Sequence, residues 1–333
     1  MSDKFTMDIN KRRLIDGPKD KLMQIAPVKH TWARDIWKVM IANTWTPAEV
    51  DLSRDVRCYR EELTDGERQM FDRALAFLSN LDGIQLNNLV FNIGKHVTSP
   101  EVSMCLVRQA FEEAMHVESY STIIEAIGRD PVEIYNMFRT DDILADKNEY
   151  IIRQSEILGS AYTPRNFAMA VVANIILEGI YFYSGFMAFY ALGKVGKMFG
   201  TAKMIRLIDR DEGGTHLTLF IKMYEALKEE NSEIFDDRFE SDAVELIKTA
   251  VELEMTWGKH IISGGVLGLT DSIVESRIKY LADLRANAIG LGTIYGVKNP
   301  IPWIDKFSKI DGEDANFFED KVSSYSIGTL EWD

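Results

Sequence analysis

This sequence predicts an all-α fold, and three observations carry that reading. Its prolines stand at 18, 27, 47, 100, 131, 164, 300 and 302, with none between 165 and 299. A sheet-rich chain would need more breaks over such a length. Apolar residues in that stretch recur every three or four positions, the period of a helix with one buried face. Runs with the two-residue period of a strand are nearly absent. Taken in order, helices are expected over 28–44, 65–94, 101–128, 131–156, 164–192, 196–228, 239–262 and 271–291. Pro100, Pro131 and Pro164 mark three of these starts. Proline suits a first helical turn because the N–H it lacks has no intrahelical partner there. The segments 1–26 and 311–333 are expected to be flexible flanks of one helical domain over 27–310.

Composition narrows the function. Of 333 residues, 46% are apolar and 27% charged, the balance of a soluble globular chain. A formal charge of −14 argues against a nucleic-acid groove or an anionic membrane surface as the main partner. Cys58 and Cys105 are too few for a disulfide framework or a zinc–thiolate site. The first 26 residues lack the apolar run of a secretory signal, so a cytoplasmic protein is expected. Residues 167–192 are apolar enough to span a bilayer. Glu178 stands at their centre, though, and a carboxylate there costs at least ~2.5 kcal/mol in lipid. A helix buried all round in a soluble bundle is the better reading.

The stripes that should be buried contain ionisable groups. Along 65–94 the apolar face runs Phe71, Leu75, Leu78, Asp82, Gln85, Leu89. Along 101–128 it runs Val102, Leu106, Gln109, Glu113, His116, Tyr120, Ile123, Ile127. At about 100° per residue, His116 lies about 60° and Tyr120 about 20° from Glu113. The later stripes are Val171, Ile175, Glu178, Phe182, Phe186, Phe189 and Ile205, Ile208, Glu212, His216, Leu219, Met223. Singly, each has a plain explanation as a solvated carboxylate or a satisfied core histidine. Together, four helices each place a carboxylate at mid-length on the buried face, and two add a histidine. A buried ionised carboxylate costs several kcal/mol unless compensated. Arg108, Arg206 and Arg210 lie nearby in sequence but mostly off these stripes. Two divalent cations compensate better: four carboxylates balance two M²⁺, and each histidine gives one ion a nitrogen. This is the carboxylate-bridged dinuclear site of a ferritin-like bundle. Oxygen-rich donors with one histidine each suit iron first and manganese second, rather than zinc.

With these residues in view, the chain resembles the small, radical-generating subunit of class I ribonucleotide reductase. The resemblance runs over roughly 28–333. It is carried by WTPAEVDLSRD (45–55), FLSNLDGIQLNN (77–88), RQAFEEAMHVESY (108–120), ILEGIYFYSGF (176–186), RLIDRDEGGTHL (206–217) and EDKVSSYSIG (319–328). It implies a homodimeric ferritin-like bundle. Asp82, Glu113 and His116 would ligate one metal and Glu178, Glu212 and His216 the other, with bridging by Glu113 and a carboxylate of the second set. Tyr120 matches the tyrosine oxidised to a stable radical, and Phe182, Phe186, Ile205 and Ile208 match the pocket that shields it. Trp45 and Asp211, with His116, match a route for coupled electron and proton transfer. Tyr325 matches the tail tyrosine that relays the radical to the large catalytic subunit.

The tail fits a docking role on its own terms. In 311–333 seven acids face one lysine, and Phe317, Phe318, Leu330 and Trp332 accompany Tyr325. Apolar residues on an acidic segment suit folding onto a partner. One departure from the family pattern concerns the second metal. Histidine there usually follows glutamate by three residues, whereas Glu212 and His216 are four apart around Gly213-Gly214. A π-bulge over 210–216 is expected to absorb the extra residue. Two rivals remain at this stage. A ferritin-like storage or oxidase protein would share the ligands but has no use for Trp45, Asp211 or Tyr325. A catalytically silent helical interaction protein would retain only a residual site.

Overall fold

Side chains placed just ahead of each helix set where it begins. In the computed structural model, which describes residues 8–18, 23–266 and 268–309, Thr64, Ser99, Asp130, Thr163, Asp236 and Thr270 each accept a hydrogen bond from a first-turn amide. These bonds satisfy amides that would otherwise have no partner. Thr64 and Glu67 complete a reciprocal capping box. The helices are α1 (Thr31–Ala42), α2 (Ser53–Arg57), α3 (Asp65–Asn88), α4 (Pro100–Ile127), α5 (Pro131–Thr140) and α6 (Asp142–Ser160). They continue as α7 (Pro164–Ile176), α8 (Tyr183–Lys194), α9 (Phe199–Asp209), α10 (Leu217–Glu230), α11 (Asp237–Ile261), α12 (Asp271–Ala288) and α13 (Pro302–Phe307). Two isolated bridges are the only β pairing among the described residues. The all-α expectation holds.

Helix α3 packs on α4, α5 and α8, α4 on α1, α7 on α10, and α8 on α9, while α11 and α12 pair alongside. The apolar stretch from Pro164 to Lys194 lies buried inside this bundle, as the core of a soluble protein. Phe167, Phe182, Phe186 and Phe189 on it are all buried. It packs against α3, α9 and α10.

The structure departs from these expectations at several points. The helix expected over 131–156 is two, because Asp141 takes an extended backbone and its carboxylate accepts from the Leu144 amide at 3.2 Å. A turn through Gly196 and Met198, both at positive φ, delays the start expected at 196 to Phe199. Short helices at 53–57 and 302–307 lie in stretches read as connections. Of the N-terminal segment 1–26, expected to be loosely held, residues 8–18 and 23–26 are described. Leu14 and Ile15 are fully buried, the Thr98 amide donates to the Leu14 carbonyl at 2.7 Å, and the Leu14 amide donates to Glu230 at 2.7 Å. Two apolar side chains and these bonds fix residues 8–18 to the body. The tail expectation for 311–333 and Tyr325 falls outside the described residues.

Candidate metal centre

Three of the helices that carry the stripe carboxylates are interrupted by π segments. One, Leu89–Ile93, closes α3 beyond the site; the other two carry site residues. Leu177–Tyr181 separates α7 from α8 and carries Glu178. Arg210–His216 separates α9 from α10 and carries both Glu212 and His216. The irregularity expected over 210–216 is present. The wider i→i+5 turn needs one more residue to return to the same face, so a spacing of four brings Glu212 and His216 together. Their closest approach is 4.0 Å, from His216 Nδ1 to Glu212 Oε2.

The six ligand-type residues converge, and all are completely buried. His116 Nδ1 lies 3.6 Å from Asp82 Oδ2, 3.6 Å from Glu113 Oε2 and 2.9 Å from Glu212 Oε1. His216 Nδ1 lies 3.5 Å from Glu113 Oε1 and 3.6 Å from Glu178 Oε2. Two overlapping donor sets result, each with its donor atoms within 4.8 Å of one another: Asp82, Glu113, His116 and Glu212, and Glu113, Glu178, Glu212 and His216. Glu113 and Glu212 belong to both.

The donor atoms fit metal ions because eight atoms of the six side chains have no hydrogen-bond partner in the protein. Both oxygens of Asp82, both of Glu212, Oε2 of Glu113, Oε2 of Glu178 and Nδ1 of each histidine are buried with no hydrogen-bond partner. Buried polar atoms are rarely orphaned, and this many facing one point call for cations. The protonation balance agrees. Burial, then the Glu113 charge, push Asp82 well above the usual carboxylate range. Burial, then Glu178 and Glu113, do the same to Glu212. Burial disfavours charge on both imidazoles, yet bonds to the surrounding carboxylates outweigh it and raise them well above a free histidine. Without cations the cluster therefore holds protons in their place.

Comparison with known proteins agrees with this geometry. The family described as "Ribonucleotide reductase, small chain" matches residues 22–300. The chain is 33% identical to the ribonucleoside-diphosphate reductase subunit beta of Chlamydia pneumoniae, over 98% of this chain and 96% of that one. The chain belongs to the ribonucleotide reductase small-chain family. Among solved structures, the ribonucleotide reductase R2 subunit from Clostridium botulinum superposes with a TM-score of 0.86 at 40% identity, covering 90% of this chain and 95% of that one. The Streptococcus sanguinis dimanganese(II)-NrdF, at 21% identity and a TM-score of 0.72, covers 82% of this chain and 93% of that one and shares the fold. The protein is thus an oxidoreductase subunit that serves ribonucleotide reduction, and its buried carboxylate–histidine cluster has the donors to hold metal.

Around the centre of this small chain lie residues that sequence reasoning both found and missed. Trp45 Nε1 donates to Asp211 Oδ2 at 2.7 Å, and the same oxygen lies 3.4 Å from His116 Nε2. Burial works to raise Asp211, but its bonds to His116 and Trp45 and the Arg210 charge hold it below the usual carboxylate range. The ring centroids of Trp45 and His116 are 6.2 Å apart in a stacked arrangement. Tyr120 is fully buried with an unpartnered hydroxyl; burial, then the Asp82 charge, raise it well above a free phenol. Phe182, Phe186, Ile205 and Ile208 are buried as well. Glu112 was missed. Its carboxylate takes His216 Nε2 at 2.9 Å and Arg108 Nε at 3.0 Å, which orients the imidazole as such outer partners do. Its signal was the Arg108–Glu112 pair four residues apart, easily read as a solvated salt bridge. Gln85 and Gln109 stood in the stripes without a role; both donate to Glu178 Oε1, at 2.6 and 2.9 Å.

Proposed function

We propose that this chain holds two metal ions per protomer and generates a radical at Tyr120 that it relays to the large catalytic subunit. Asp82, Glu113 and His116 hold one ion, and Glu178, Glu212 and His216 the other. Glu113 and Glu212 belong to both donor sets and would be available to either ion. Iron suits the oxygen-rich donors and manganese is the alternative; the Streptococcus sanguinis relative carries two manganese ions by its name. When bound, the ions would supply oxygen activation, with dioxygen as the oxidant that takes the electron Tyr120 gives up.

The chain's own residues do the rest. The Tyr120 hydroxyl has no hydrogen-bond partner, and the Asp82 carboxylate is close enough for its charge to act on the phenol, so it is the group placed to take the proton. The apolar surroundings exclude water and thiols that would quench the radical. Trp45, Asp211 and His116 form a bonded line from the centre outward, suited to coupled electron and proton transfer. A storage or simple oxidase protein has no need of that line. The homodimer, the docking tail with Tyr325 and a cytoplasmic location complete the reading.

The carrying observation is the cluster of orphaned donor atoms shared by four helices beside an unpartnered tyrosine. Electron paramagnetic resonance on the metal-loaded, oxidant-treated protein tests it. Tyr120→Phe is expected to keep both ions and lose the tyrosyl signal. A tyrosyl signal that survives in that variant would move the radical to another residue.

A further inference from the structure

The chain is broken just beyond Glu178, and the break is held from outside. After the π segment Leu177–Tyr181, the Phe182 amide turns back onto the Ile180 carbonyl and α8 starts afresh at Tyr183. Such a junction frees backbone groups inside a core that has no water to satisfy them. Three helices supply partners. Lys147 on α6 donates its ammonium to the Tyr181 carbonyl at 3.1 Å. Glu254 on α11 accepts the Ser184 amide at 2.9 Å. Arg285 on α12 donates Nε to the Gly179 carbonyl at 3.2 Å.

Lys147 and Glu254 are bonded to each other as well, and both side chains are buried. The ammonium sits 3.6 Å from the centre of the Phe77 ring. Burial pushes Lys147 down to about 8 and raises Glu254, so the core disfavours both charges even though each favours the other. A buried pair of this kind is often replaceable by apolar side chains without loss of stability. What apolar side chains cannot replace is the pair of bonds to the Tyr181 carbonyl and the Ser184 amide. Gly179 matches the third arm: a Cβ there would stand 2.7 Å from Arg285 Nε.

We propose that Lys147, Glu254 and Arg285 are positioning residues that lock the register of the π segment and so aim the Glu178 carboxylate at the second ion. The clamp touches no donor atom. It acts on the backbone that follows Glu178, at Gly179, Tyr181 and Ser184, and Glu178 belongs to one of the two donor sets only. The other set takes Asp82, Glu113 and His116 from α3 and α4, which are unbroken at the site, and shares Glu212 from the Arg210–His216 segment, which the clamp does not touch. This rests on reading the six buried residues as a two-ion centre.

The test is a Mn(II) titration of the full-length, metal-free protein, with bound and free ion counted by electron paramagnetic resonance. The variants are Lys147→Met/Glu254→Met, which leaves no unpaired charge, and Arg285→Met, which alters a half-buried side chain. Loss of outer-sphere support costs metal affinity about 10–100-fold, so each variant is expected to weaken one of the two Mn(II) binding steps by at least about tenfold and leave the other unchanged. In a Glu178→Ala background, the same substitutions are expected to add nothing. A folded variant with both steps intact, or an equal loss of both, overturns the proposal. If the unaltered protein itself fails to bind two ions, the two-ion reading falls instead.

Discussion

Gly213 and Gly214 look interchangeable in the sequence, but their surroundings differ. A Cβ on Gly213 would stand 2.5 Å from the Tyr183 hydroxyl and 3.1 Å from Asp209 Oδ1, whereas one on Gly214 meets nothing within 4 Å. Gly213→Ala must displace a buried tyrosine that borders the π segment, an overpacking that costs about 1–3 kcal/mol. Gly214→Ala instead gains about 0.4–1 kcal/mol by restricting the unfolded chain. Denaturant unfolding of the two variants checks both signs. Titration is the other property set at this scale. Asp82, Glu113 and Glu212 are raised chiefly by burial, and the two imidazoles by their carboxylate neighbours. The metal-free centre therefore holds protons more tightly at these groups than free side chains would, and metal ligands must be deprotonated. Loading is expected to release protons, and affinity to rise with pH across the neutral range. Calorimetry in two buffers of different ionisation enthalpy measures the release; a loading that releases no protons would contradict these assignments.

At the scale of elements, the sequence was most legible where chemistry is local. Proline at a first turn and Ser, Thr or Asp ahead of it set helix starts that the structure keeps at Pro100, Pro131 and Pro164. Asp82, Glu113, His116, Glu178, Glu212 and His216 stood out because a charge on an apolar stripe has a high cost. The π segment at 210–216 was legible from one extra residue between two ligand-type side chains. The segment carrying Glu178 was not, since no spacing in its helix was out of register. A subtler mark was present: in both segments the glutamate is followed by glycine, Glu178-Gly179 and Glu212-Gly213, and a neighbouring side chain occupies the space a Cβ would need. Asp141 hid a helix break because its capping role depends on tertiary partners, Arg73 and His260. The burial of Leu14 and Ile15 likewise depends on distant groups, Thr98 and Glu230, that no local pattern announces.

At the scale of the molecule, the bundle isolates a charged centre inside apolar helices, and the proposed relay leaves it through two stretches in series that differ in kind. One is built into the body as Trp45, Asp211 and His116. The other is the acidic tail. Truncation after Ile310 is expected to abolish binding to the large subunit and reductase turnover while leaving the ions and the Tyr120 signal intact. Tyr325→Phe is expected to spare binding and stop turnover. Normal turnover by the truncated chain with its large subunit would rule out a relay through the tail.

The central claim is that six buried residues on four helical stretches hold two ions. Counting Mn(II) bound per chain in the unaltered protein and in Glu113→Ala and Glu178→Ala tests it most directly. The account predicts two tightly held ions in the first and fewer than two in each variant. Glu113→Ala is expected to be the more severe, because Glu113 belongs to both donor sets. Two tightly bound ions in either variant would contradict the assignment.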